Sequence, residues 1–171
     1  MAKREDDMNR RLKLFINLIV VVTTLALFGI SGADAEEKQD LKGWGINDPY
    51  NKYYDVREFE KFKAWVIEFK EEVPMEGMSP ASIVVVRDGS ERIDVHVCPT
   101  WFAKPRDIGV KKDDRVTIKG VWAEIGGKDV FMASKIKKGD TFEFKVRLTK
   151  DGTPFWTMTP EQLAAERASE D

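Results

Sequence analysis

Residues 110–139 read VKKDDRVTIKGVWAEIGGKDVFMASKIKKG. Lys111-Lys112-Asp113-Asp114 is a polar turn. Val116 and Ile118 then alternate with polar neighbours, the pattern of a strand with one buried face. Gly126-Gly127 turns the chain, and Val130 to Ile136 returns it. Gly120 lies inside the first strand and predicts a bulge that shifts the facing of Val121 and Trp122. An antiparallel pair is expected over residues 115–124 and 130–137.

Three further strands precede this pair. Residues 55–72 carry two periodicities. Val56, Phe59, Phe62, Val66 and Phe69 recur at helical spacing, whereas Phe62, Ala64 and Val66 alternate with Lys61, Lys63 and Trp65. Asp55-x-x-Glu58 is a candidate capping box. The reading adopted is a helical turn at 56–60 and a strand from 62 to 72, ended by Val73-Pro74. Ile83–Val86 is a compact β-branched run, so a buried strand is expected at 81–87. Asp88-Gly89 signals a hairpin, and Ile93, Val95 and Val97 alternate with Asp94, His96 and Cys98 in a strand at 92–97. Trp101 and Phe102 are expected to tuck under the body, with Pro105 stopping the segment. Five strands with a small capping segment between the third and fourth is the order of an OB-type barrel, an all-β class.

Downstream, Phe142, Phe144, Val146 and Leu148 share one face. Asp151-Gly152 turns the chain and Phe155-Trp156 is expected to return it as a C-terminal β-hairpin. Thr159, Pro160 and Gln162 supply the N-cap, first position and capping-box partner of a short final helix.

Upstream lies an export signal. Lys3, Arg4, Arg10, Arg11 and Lys13 precede a 17-residue apolar run, Leu14 to Ile30, and Ala33-x-Ala35 follows it. The pattern predicts a secretory signal cut after Ala35, or an uncleaved membrane anchor of the same topology. The basic flank puts the N-terminus in the cytoplasm and the body outside it, periplasmic or membrane-held. The chain thus divides into 1–35, signal or anchor helix; 36–55, linker and aromatic arm; 56–140, barrel; 141–158, hairpin; and 159–171, short helix and polar tail.

Lys112-Asp113-Asp114-Arg115-Val116-Thr117-Ile118-Lys119-Gly120, followed by Val130-x-x-Ala133-x-x-Ile136, resembles the closing hairpin of OB folds. Together with the export signal it looks like secreted bacterial OB-fold proteins, the periplasmic BOF type among them, over residues 62–137. The architecture is also similar to the periplasmic haem chaperone of cytochrome c maturation, which has an anchor and a small OB barrel. That family binds haem through a His followed by a Tyr just after the last barrel strand. Here the region reads Ser134-Lys135-Ile136-Lys137-Lys138-Gly139-Asp140, so those residues do not carry over.

Composition narrows the chemistry. The 171-residue chain carries 28 basic and 30 acidic residues, a net charge of −2, and gives no basic footprint for nucleic acid. It holds a single Cys and a single His. No intrachain disulfide, CxxC, CxxCH or multi-His zinc site can be built from these. Asp94, His96 and Cys98 are the one candidate constellation. Residues two apart on a strand lie about 7 Å apart and point the same way, so a His-x-Cys pair could share a transition metal or haem with further ligands. No cofactor is expected otherwise. Trp44, Tyr50, Tyr53, Tyr54, Trp65 and Trp122 are candidates for a ligand or partner surface; packing of the N-terminal arm on the barrel explains the same residues without a ligand and is the simpler reading. No acid–base pair can be named. The expectation is a non-enzymatic, exported binding or accessory module acting through a protein partner. The alternatives are a metal or haem carrier at His96 and Cys98, and an oligosaccharide or nucleic-acid binder on the barrel face.

Overall fold

A computed structural model describes residues 40–169 of the chain. The expected signal or anchor over residues 1–35 lies outside them. Among the described residues no helix is long and apolar enough to cross a membrane.

Two short 3-10 turns, Pro49–Tyr53 and Val56–Glu58, lead into β1, Phe59–Glu72. The strand periodicity of this ambiguous segment prevailed because Ala64 and Val66 face a closed core, which a helix here could not supply. Asp55 caps the second turn by accepting from the Arg57 amide, not through the expected box with Glu58. Next come β2 (Ala81–Asp88), β3 (Glu91–Pro99), β4 (Arg115–Ile125), β5 (Lys128–Lys138) and β6 (Phe142–Lys145). The expected strands are present, each extended by one to three residues at one or both ends except that the end of β1 matches.

β1 belongs to both halves of the barrel. Phe59–Trp65 pair with β4, and Trp65–Glu72 pair with β2 across an irregularity between Val66 and Glu68. The strand bends there, and Val66 donates to the Asp114 carbonyl at 2.9 Å. β2 and β3 form a hairpin, and β4 and β5 another. The ring closes where β3 meets β5 in parallel, Val95 opposite Phe131 and His96 opposite Met132. The circuit β1-β2-β3-β5-β4 is an OB-like barrel. A 3-10 turn at Pro105–Asp107, in the segment that links β3 to β4, packs against β1 and β2, and Ile108 and Val110 after it are buried.

Two glycine features make closure possible. Gly126 and Gly127 both have positive φ, +60° and +75°, the conformation of a tight two-residue hairpin turn. Gly120 serves a different purpose. The register between β4 and β5 slips there, with Lys119 opposite Lys135 but Gly120 opposite Ala133, so Ser134 is the extra residue. A Cβ on Gly120 would lie 2.1 Å from the Met132 carbonyl oxygen and 2.7 Å from the Phe131 ring. β5 can therefore turn toward β3 only over a bare backbone. The bulge is where Gly120 predicted it, but the extra residue sits on the partner strand.

The C-terminal hairpin is present in abbreviated form. β6 pairs with β5, Lys145 opposite Lys135 through Phe142 opposite Lys138. Val146 and Arg147 then both donate to the Ser134 carbonyl, at 2.8 and 3.1 Å. The return after Asp151-Gly152 makes a single bridge, Arg147 to Pro154, and ends in a 3-10 turn, Phe155–Thr157, where a strand was expected. Helix α1, Pro160–Ala168, starts with the expected capping box between Thr159 and Gln162. Trp101, expected under the barrel, is exposed instead and donates from Nε1 to Ser79 Oγ at 3.1 Å.

Candidate functional site

Trp44, Tyr50, Tyr54 and His96, of the expected site residues, meet in one buried cluster, and its centre is a residue the sequence did not single out. Arg147 follows β6 and is 2% exposed. Its guanidinium lies between two rings, 4.9 Å from Tyr54 and 4.7 Å from Trp156. Nη1 donates to the Gly152 carbonyl at 3.1 Å and Nη2 to Asn51 Oδ1 at 2.8 Å. Its hydrogen-bond partners are a carbonyl and an amide oxygen rather than a carboxylate, and burial pulls its pKa down to about 10. Arg suits this position because its planar cation is weakly hydrated and stacks on aromatic faces.

Asn51 passes the connection on. Its Nδ2 donates to the carbonyls of Trp44, at 3.0 Å, and Gly45, at 2.7 Å. Trp156 Nε1 donates to the Trp44 carbonyl at 2.8 Å, and Trp44 Nε1 to the Ser79 carbonyl at 3.0 Å. Trp44 meets Tyr50 and Trp156 edge to face, with centroids at 4.6 and 5.6 Å. The arm before β1 and the segment after β6 are thus one structure, a clasp over the barrel. Trp44, Tyr50 and Tyr54 are buried in it and are not an open contact surface. The Tyr54 hydroxyl is buried near the Ser134 hydroxyl and makes no hydrogen bond of good geometry among the described residues.

The proposed metal trio is not assembled. β3 is irregular opposite β2, where Ser82 faces Cys98 but Ile83 faces His96, so the alternation that would align the side chains is broken. Asp94 bonds to Lys70 Nζ at 2.5 Å. His96 Nδ1 shares a hydrogen bond with the Tyr50 hydroxyl at 3.1 Å, under a stacked Tyr50 ring. Burial, only partly offset by Asp94, lowers the His96 pKa to about 4 and leaves the ring neutral. Cys98 Sγ donates to the Ala103 carbonyl at 3.5 Å, and burial pushes the thiol up to about 12. A thiol held protonated and covered is a poor ligand. Among the described residues no group of three or more His, Cys, Asp or Glu side chains could hold a metal ion.

The remaining aromatics are open to solvent to different degrees. Trp65 is 45% exposed and stacks with the Arg115 guanidinium at 5.8 Å. Tyr53 is 40% exposed. Trp122 is half-buried, donates to Glu60 Oε2 at 2.9 Å and packs on Phe62 and Phe131. It supports the closure at Gly120. The six aromatics therefore split between the clasp, the barrel end and the open surface, and do not form one binding face.

Charge is distributed unevenly around the barrel. On the β1–β2–β3 side Arg92 pairs with Glu68 at 2.5 Å and Lys70 with Asp94, although Arg87 lies opposite Arg92; Lys128, at the start of β5, reaches Glu72 of β1 at 3.3 Å. On the β1–β4–β5–β6 side, lysines face lysines. Burial first, then Lys135, Lys61 and Lys137, lower the pKa of Lys119. The sequence hides this face, since the lysines are spread over four strands and become neighbours only through the register.

The family model of the MamS/MamX magnetosome proteins matches residues 58–143, half of the chain. The chain belongs to the MamS/MamX magnetosome protein family. That match covers the barrel from its first strand to the start of β6, so the family is defined here on the barrel itself. No curated protein matches the chain. Among solved structures, a replication protein A heterotrimer bound to ssDNA is 12% identical, with a TM-score of 0.36 over 48% of this chain and 58% of that one. The Ifi202 HINa domain in complex with 20bp dsDNA is also 12% identical, with a TM-score of 0.32 over 63% of this chain and 48% of that one. The chain spans about half the length of each, and likenesses this low carry no argument about ligand.

Proposed function

We propose that this MamS/MamX family member is an exported, non-enzymatic accessory module of the magnetosome. Its barrel binds a protein partner, and residues 1–35 bring the body to or across the membrane. The observation that carries this reading is the family match over residues 58–143, which coincides with the barrel and places the chain among magnetosome proteins. The basic flank and apolar run before residue 36 support export. His96 and Cys98 are committed to packing, so the carrier alternative has no observation in its favour.

Fractionation of magnetosome-forming cells tests the reading. The chain is expected in the periplasmic or magnetosome-membrane fraction. Replacing Lys3, Arg4, Arg10, Arg11 and Lys13 with Gln is expected to leave it inside. Cross-linking in isolated magnetosome membranes is expected to capture one reproducible protein partner through the barrel. Recovery of the wild-type chain in the cytosol, with no cross-linked partner, contradicts the proposal.

A further inference from the structure

We propose that the outer face of β1 and β4 around Trp65 docks the body onto an anionic lipid bilayer. The strand register assembles this face. Lys61 lies opposite Lys119, Lys63 opposite Thr117 and Trp65 opposite Arg115 across β1 and β4, and Trp65 lies opposite Arg87 across β1 and β2. The residues between them, Ala64, Val66, Val116 and Ile118, are buried, so this set points away from the core. An exposed indole therefore stands between two arginines, with the Arg115 guanidinium over its ring. Lys63, Lys61 and Lys119 continue the face along the same two strands.

These cations are not neutralised within the barrel. Lys61, Lys63, Arg87, Arg115 and Lys119 make no ion pair among the described residues. The carboxylates that border the face are engaged elsewhere. Glu60 accepts from Trp122 Nε1 at 2.9 Å, and Glu68 holds Arg92. Glu143, which also acts on Lys119, holds Lys135 and Lys137. The whole chain has a net charge of −2, so five unpaired cations on one face leave the remaining surface more acidic. That asymmetry turns one side of the body toward an anionic plane.

The chemistry selects the partner. An indole has an apolar body and a polar N–H, which suits the boundary between acyl chains and headgroups. Lys and Arg stems lie along apolar surface while their charged ends reach the anionic headgroups. The outer side of two paired strands is broad and open, which fits a plane better than an enclosed small molecule. A nucleic-acid strand is held by aromatics in series, whereas a single indole stands among these cations. The inference rests on the accessory reading for the compartment alone. Its test needs no cells, so failure here is distinct from failure of fractionation or partner capture.

The test reconstitutes the full chain into vesicles of equal parts phosphatidylcholine and phosphatidylglycerol with brominated acyl chains, which quench a tryptophan in contact with lipid. The chain is expected to float with the vesicles. Wild-type fluorescence is expected to be quenched more than that of Trp65→Phe, and the difference is expected to vanish in pure phosphatidylcholine and at high salt. Arg87→Gln and, separately, Arg115→Gln are each expected to lower the ratio of docked to free body about fivefold, the scale of one basic side chain at an anionic surface. Lys104→Gln, in the groove at Pro105 and outside this face, is expected to leave it unchanged. Quenching that is the same in wild type and Trp65→Phe overturns the proposal, as does a chain that does not float. So does a Trp65 signal that is equal in pure phosphatidylcholine, survives both arginine substitutions in folded protein, or falls as much with Lys104→Gln. Binding of polyglutamate or single-stranded DNA to the face, without lipid quenching at Trp65, assigns it to a soluble polyanion and also overturns the proposal.

Discussion

The closure at Gly120 and the clasp around Arg147 are both buried junctions, yet they are built on opposite principles. The closure joins near neighbours in sequence: Gly120 meets Met132 and Phe131 across a two-glycine turn. It works by leaving atoms out, so that one backbone can cross another. The clasp joins distant segments, with Arg147 on Asn51 and Trp156 on Trp44. It works by putting a charge in, and by satisfying it with an amide, a carbonyl and two ring faces. The contrast teaches that the bulge bending β5 toward β3 is set within one hairpin, whereas the covering of His96 and Cys98 involves Tyr50 and Arg147, where the two ends of the body meet.

Breaking the closure should have the largest effect. Gly120→Ala puts a methyl group against a backbone carbonyl that cannot move aside, and a loss above about 4 kcal/mol is expected by urea unfolding, or no folded protein at all. Retention of wild-type stability would mean that the bulge at Ser134 can relax. Arg147→Leu comes next. It removes two cation–π contacts and leaves Asn51 Oδ1 and the Gly152 carbonyl without their donor, for a loss of about 3 kcal/mol. Arg147→Lys is expected to recover less than half of this, because an ammonium lacks the planar fork.

A similar effect follows from pH. His96 stays neutral in the fold down to about pH 4, against an ordinary value of 6.5. Between those values the unfolded chain binds more protons, so stability is complete above about 6.5 and falls as pH drops toward 4. The loss is on the order of 3 kcal/mol, and His96→Gln is expected to flatten that part of the thermal-melting profile. The smallest effect is at Trp65. Its ring is nearly half exposed, so Trp65→Ala is expected to change stability by less than about 0.5 kcal/mol. A larger loss would make Trp65 part of the barrel and not of its surface.

The same contrast explains what the sequence could disclose. Strand alternation, the Gly126-Gly127 turn and the Thr159 capping box are local signals, and each led to the element found there. The bulge was legible from Gly120, though not that Ser134 would be the extra residue. Arg147 was not legible, because it stands in an ordinary run of alternating polar positions and its partners are far away in the chain. The lysine row was hidden for the same reason, since only the strand register makes Lys61, Lys119, Lys135 and Lys145 neighbours. His96 and Cys98 misled in the other direction. Their i, i+2 spacing suggested a shared face, but the irregular pairing of β3 and the Tyr50 ring give each its own partner.

Cys98 provides the most direct test of the clasp, because it is the single thiol in the chain. Labelling with a thiol-reactive disulfide at neutral pH should be at least about 100-fold slower in the native wild-type protein than in urea, since reaction requires both opening and ionisation. Arg147→Leu should accelerate native labelling while the barrel remains folded by far-UV circular dichroism. Native labelling at the rate of the unfolded chain, or a rate unchanged by Arg147→Leu, would contradict a clasp that seals His96 and Cys98.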